Sequence, residues 1–314
     1  MSAFFNALPG AVSQGLIWGI MAMGVFLTYR ILDLSDLTVD GSLCTGAAVF
    51  AVLYTAGVPL WGAMLAAVLA GMLAGLATGV LHTLCGIPAI LAGILTQLAL
   101  YSVNMAIMGM KATAAINITD PEKLDGLLVS LRFVQDVAKG TRPLWRHPIL
   151  VVGLLTAAIL ALLYWFFGTE LGCSLRATGS NPHMARAQGI NTDFAKVLGL
   201  MIANGLVALS GALLAQYTSA SEINMGRGAI VIGLAAVVIG DAVFGKLFRN
   251  FALKLLSVSI GAILYYTIIQ AVLAMGLNSN YLKLLSAVVV ALFLSVPHWK
   301  KRCFPVRKGG DVRA

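Results

Sequence analysis

Charge is what this sequence has least of. Only 11% of its 314 residues are Asp, Glu, Lys or Arg, against 60% that are hydrophobic, whereas a soluble domain carries about 25% charged residues. So few ionic side chains cannot cover the surface of a water-soluble fold of this size, and the mean hydropathy of +0.92 points the same way. No charged residue occurs between Asp40 and Lys111, nor from His147 to Thr169, Val197 to Ser221 or Leu255 to Leu282. Metal and thiol chemistry also lack their patterns. The four cysteines (Cys44, Cys85, Cys173 and Cys303) form no CxxC pair, and the four histidines form no HExxH, so buried structural thiols are expected and no metal site. There is no serine elbow and no carboxylate pair with a partner base. Gly240 to Lys246 fits GxxxxGK, but Leu247 follows where a phosphate loop needs a hydroxyl, and the motif closes an apolar run rather than a strand. The chain therefore has no energy source or cofactor site of its own.

What is present is a series of runs apolar on every face. A membrane-spanning helix needs about 20 such residues, and a barrel would instead alternate in polarity over short strands. The expected fold is an all-α polytopic membrane protein with about nine transmembrane segments (8–10). They fall near 11–30, 41–57, 59–81, 87–109, 147–168, 195–218, 229–245, 253–276 and 281–297. Gly57-Val58-Pro59 and His82 to Pro88 supply turns inside the long uncharged stretch. The first run lacks a basic flank and a small-residue cleavage site, so it reads as a retained span. Residues 1–299 form one membrane domain with loops at 110–146 and 169–193, and 300–314 form a basic tail. That tail carries six basic residues against Asp311, five of the net +9, which argues for cytoplasmic retention and against a nucleic-acid partner. Alternating the spans puts Arg30, the 169–196 and 246–254 loops and the C-terminus on one side with 13 of the 21 Lys and Arg, hence on the cytoplasmic side. The 110–146 loop, outside, holds six more, which weakens the asymmetry.

Three features invite chemistry. Gly71, Gly75 and Gly79 recur every fourth residue and favour close helix packing within the chain or at a subunit interface. The 169–193 loop contains a short helix near 180–189: Ser180 or Asn181 caps it, Pro182 suits its first turn, His183, Met184, Ala185, Arg186, Ala187 and Gln188 continue it, and Gly189 ends it. So short a helix is marginal alone and calls for a docking surface, its own spans or a partner. Thirdly, Asp33, Asp36 and Asp40 lie between two spans, in a broken or re-entrant segment near 33–41 or in a turn with solvated carboxylates. Asp40 is placed to cap the following span, Asp33 to pair with Arg30, and Asp36 has no evident local partner, which makes it a candidate for a solute pathway. Thr96, Gln97, Asn104 and Asn204 are the other pathway candidates, although interhelical hydrogen bonds of about 0.6 kcal/mol each would equally explain them.

The segment Arg176-Ala177-Thr178-Gly179-Ser180-Asn181-Pro182, continuing through Ala185 to Asn191, resembles the coupling loop of permeases of the branched-chain amino-acid and ribose importer type. GLIWGIMAMGVFLTYRILDLSDLTVDGS, IPAILAGILTQLALYSVN and NGLVALSGALLAQY resemble bacterial permeases of tryptophan/tyrosine-type ABC uptake systems, and the resemblance spans nearly the whole chain. It implies a translocating subunit in the bacterial inner membrane that carries a small solute, an amino acid with aromatic ones favoured. Its partners would be two cytoplasmic ABC ATPase subunits that bind ATP and Mg, a second permease (here a homodimer) and an external solute-binding protein or lipoprotein. The helix from Ser180 to Gly189 would be the coupling helix. Where the family often has an acid after Asn-Pro, this chain has His183. A secondary transporter would place ionisable residues inside its spans, and a membrane-embedded enzyme a convergent acid, base or metal set; these are the rival readings.

Overall fold

The computed structural model describes residues 2–116, 127–130, 147–245 and 250–274, together with 284, 287–292 and 295. Most of the 110–146 loop, most of the run at 281–297 and the tail at 300–314 lie outside the described residues.

Helix α1 (Ser2–Phe26) runs into a π-helical turn, Leu27–Ile31, closed by Leu32 N–H donating to the Leu27 carbonyl at 3.1 Å. Then come α2 (Val39–Thr55), α3 (Leu60–Thr83) and α4 (Ala89–Ile107). The connections are the expected ones: Gly57 and Gly86 take positive φ (93° and 69°), and Pro59 and Pro88, extended, open the next helices. After strand β1 (Thr113–Ala115) the chain forms α5 (Pro148–Phe167), α6 (Glu170–Ser180), α7 (Pro182–Ala187) and α8 (Thr192–Thr218). Strand β2 (Ala220–Glu222), α9 (Ala229–Phe244) and α10 (Phe251–Ala274) complete the described elements. The two strands pair antiparallel, Thr113 opposite Glu222, a small sheet that an all-helical reading leaves out.

Among the described residues, six helices are long and apolar enough to cross a membrane, and Val39–Thr55 and Ala229–Phe244 are shorter apolar ones. Those eight coincide with eight of the nine predicted runs. Apolar side chains stand exposed along α3 (Trp61, Leu65, Leu69, Leu73) and α5 (Leu150, Leu154, Leu162, Trp165). That much contiguous exposed apolar surface suits lipid or another subunit, not water.

Helix α8 is the centre of the bundle. A Cβ on Gly71 or Gly75 of α3 would overlap the carbonyls of Asn204 and Leu200, and one on Gly46 of α2 would overlap the Ala208 backbone. Gly15 and Gly19 of α1 meet Ile263 and Ser259 of α10 in the same way. The small residues thus serve packing within the chain, where backbone approach replaces the hydrophobic drive that lipid cannot supply.

Two helices begin partway through the bundle. Ser42 Oγ, in the first turn of α2, donates to Asn204 Oδ1 at 2.7 Å. Asn204 is the thirteenth of the 27 residues of α8, about 18 Å from its start at 1.5 Å per residue. So α2 starts halfway along α8. On the far side, Ser219 (φ 57°) turns the chain back, and residues 220–228 descend along α2. Cys44 Sγ donates to the carbonyls of Glu222 and Ile223 at 3.4 and 3.5 Å, and Gly226 packs on the Asp40 carbonyl. Helix α9 therefore starts at the level of Asp40. Irregular backbone at such depth is tolerated only where protein or a cavity surrounds it.

Candidate functional site

Asp33, Asp36 and Asp40 have three different environments, and all three differ from the sequence expectation. Asp33 is exposed with φ 54°, and among the described residues no bond joins it to Arg30. The α-helix has already ended at Phe26, so the three-residue spacing no longer puts the two side chains on one face. Asp40 does not cap α2: it lies inside that helix, whose N-cap is Thr38 without a side-chain bond. Its carboxylate instead accepts the N–H groups of Gly228 and Ile230, both at 3.0 Å, and so caps α9. The first turn of α9 has no acid or capping side chain of its own, and an anion there meets unpaired N–H groups and the positive end of the helix dipole.

Asp36, 3% exposed, does have a local partner: Thr38 N–H donates to Oδ1 at 2.9 Å. Asn204 Nδ2 donates to its Oδ2 at 2.7 Å. Asn204 passes the network on by accepting from Ser42, and Thr38 Oγ1 shares a 2.7 Å hydrogen bond with Thr78 of α3. A carboxylate away from water needs such donors. This network ties the 32–38 segment to α2, α3 and α8.

Beside it lies a cavity of about 430 Å³ lined by Asp40, Gly41, Cys44, Gln97, Leu98, Tyr101, Asn104, Ile223 and Arg227. Of the five pathway candidates, the structure brings Gln97 and Asn104 to this cavity. Asp36 and Asn204 stand in the buried network, and Thr96, also buried, donates to the Ala92 carbonyl of its own helix. Asn104 is 1% exposed. Its Nδ2 donates to the Gly41 carbonyl at 3.4 Å, while Oδ1 has no partner among the described residues. A buried acceptor left open costs about 1–3 kcal/mol. The cavity residues that sequence reasoning missed are Tyr101, Cys44, Asp40 in this role, and Arg227. No local signal marked them, because Asp40, Tyr101 and Arg227 come from segments far apart in the sequence.

The short helix forms as its caps dictate. Asn181 is the N-cap, its side chain accepting from Met184 N–H at 3.1 Å; Pro182 occupies the first turn; and Gly189 takes φ 82° after it. Pro182, His183, Met184, Ala187 and Gln188 are exposed, and Ala185 alone is buried. Arg186 is turned back on its own chain: its guanidinium donates to Thr192 Oγ1 at 2.6 Å and to Asp193 Oδ1 at 2.9 Å. Gly179, just before this helix, packs against the Ile31 carbonyl, and Gly199 against Leu32. The residues of the apparent phosphate loop from Gly240 to Phe244 are α-helical, which removes the geometry that motif requires.

Residues 8–296 match the family described as branched-chain amino acid transport system / permease component. The tyrosine transport system permease protein of Clostridioides difficile (strain R20291) is 36% identical over 299 residues, covering 92% of this chain and 91% of that one. The ribose import permease protein RbsC of Escherichia coli (strain K12) is 26% identical over 296 residues, covering 94% and 87%. Among solved structures, an inward-facing metal-chelate type ABC transporter is similar in fold, with a TM-score of 0.50 at 15% identity and 93% and 85% coverage.

Proposed function

The chain belongs to the permease component family of branched-chain amino acid transport systems and is a membrane-spanning permease subunit of an ABC importer; on that premise we propose that it translocates an amino acid, with aromatic ones favoured. The observation that carries the solute assignment is the 36% identity, over nearly the full length of both chains, to a tyrosine transport permease. The sugar permease similarity is lower, at 26%.

In this reading the chain hydrolyses nothing. ATP and Mg sit on two cytoplasmic ABC ATPase subunits, a second copy of the permease completes the pathway, and an external solute-binding protein or lipoprotein delivers the solute. The side bearing the 169–193 loop and the basic 300–314 tail is cytoplasmic, and the membrane is the bacterial inner membrane. With the 281–297 run the chain makes nine segments. The segment Ser180 to Gly189 is the coupling element, with Ser180 ending α6 and α7 (Pro182–Ala187) as its helix, and the exposed residues His183 and Met184 enter the ATPase groove. Motion there is passed through the Gly179 contact with Ile31 into the 32–38 segment, where Asp36 and Asn204 hold the start of α2. Packed elements with two arrangements switch in this manner. Gln97 and Asn104 line the solute path, with Thr96 behind them.

The test is uptake by proteoliposomes holding the permease, its ATPase and its binding protein. ATP-dependent accumulation of L-tyrosine, L-tryptophan or L-leucine is expected. Accumulation of ribose with no amino acid transported would overturn the solute assignment, and uptake indifferent to ATP would overturn the coupling.

A further inference from the structure

The 430 Å³ cavity lies within the range of about 300–1,000 Å³ typical of small-molecule sites. Its polar groups are of two kinds. One kind accepts: the Asp40 carboxylate, which spends one hydrogen bond per oxygen on α9 and keeps further lone pairs, and Asn104 Oδ1, which has no partner among the described residues. The orientation of that amide follows from chemistry, because only its NH₂ can donate to the Gly41 carbonyl. The other kind donates, and here it is Arg227. Its guanidinium is exposed in the isolated chain, and no carboxylate pairs with it among the described residues. Leu98, Tyr101 and Ile223 supply apolar and aromatic wall.

Depth makes the arrangement informative. Asp40 and Arg227 stand at the start of α9, level with the middle of α8. An anion and a cation at that depth cannot open onto lipid and mark water-filled or solute-filled space. We propose that this cavity is a transit site for a zwitterionic α-amino acid, with Asp40 and Asn104 Oδ1 taking the ammonium, Arg227 the carboxylate, and Leu98 and Tyr101 the side chain. The proposal rests on the importer reading above and adds to it a solute site in the permease. The acceptor pair and the guanidinium match both charges of the amino acid, whereas a sugar offers them only neutral hydroxyls and so weaker hydrogen bonds. Tyr101 offers an aromatic solute a stacking surface.

The experiment uses the assembled permease–ATPase complex with its binding protein in proteoliposomes, with labelled L-tyrosine, L-tryptophan and L-leucine as probes. Arg227→Gln and Asn104→Leu should each lower uptake by about tenfold or more, the worth of one hydrogen bond to a charged group. Arg227→Lys should recover much of the uptake because the charge is kept. Wild-type uptake in both variants, or a loss that Arg227→Lys does not restore, overturns the site while leaving the importer reading intact. If the unmodified complex transports none of the three amino acids, the importer reading falls and the site falls with it.

Discussion

Asn204 donates a 2.7 Å hydrogen bond to Asp36 across 168 positions of sequence. It does so at the point where α2 begins, and the same asparagine accepts from Ser42 one turn into that helix. The start of α2 is thereby pinned to the middle of α8.

Asp36→Asn leaves one acceptor oxygen for two donors, so the NH₂ of the new amide must face either Asn204 Nδ2 or Thr38 N–H. A loss of about 1–3 kcal/mol is expected for the unsatisfied pair, read as a lower midpoint of thermal unfolding in detergent. Adding Asn204→Asp to that variant exchanges donor and acceptor and should recover part of the loss. Additive losses in the double variant would show that the two side chains do not act as a pair.

For Asp40 the structure changes what an asparagine should do. Were it the cap of α2, asparagine would serve nearly as well. It accepts two N–H groups of α9 instead, and an amide can satisfy only one. Asp40→Asn should cost about 1–2 kcal/mol and Asp40→Ala more. Unfolding midpoints equal to wild type for both variants would contradict the interhelical cap.

Gly75 touches the Leu200 carbonyl, while Leu73, two residues away, is exposed. Gly75→Leu must push α3 off α8 and should cost well over the 1–3 kcal/mol, roughly, of ordinary overpacking, because backbone blocks the way. Leu73→Ala should stay within about 0.5 kcal/mol. The readout is the monodisperse fraction recovered on size-exclusion chromatography, and similar yields for the two variants would argue against the close contact.

On the short helix, the exposed Met184 and the buried Ala185 should behave differently. Met184→Glu should weaken co-purification of the ATPase and leave the thermal midpoint unchanged. Ala185→Trp should lower the midpoint, since that side chain packs inside its own chain. ATPase retained by the Met184 variant would remove this face from the proposed coupling surface.

The membrane class, eight of the helical runs and the capped helix at Asn181 to Gly189 were legible in the residues themselves. Each depends on neighbours in sequence: a stretch of uncharged apolar side chains, a proline after an asparagine, a glycine free to take positive φ. A break near 33–41 was one of two open readings of the three aspartates, the other a turn with solvated carboxylates; the irregular backbone runs over 32–38, and 39–41 are already helical. The partners of those aspartates were not legible. Asp40 and Gly228 are 188 positions apart, and no local periodicity joins them. Nor could the sequence indicate that residues 220–228 fold back along α2 to bring Arg227 beside Asn104 in one cavity. Inside a membrane every polar group must find its partner within the protein. Which partner it finds is decided by the packing of helices distant in sequence, and so by the tertiary structure alone.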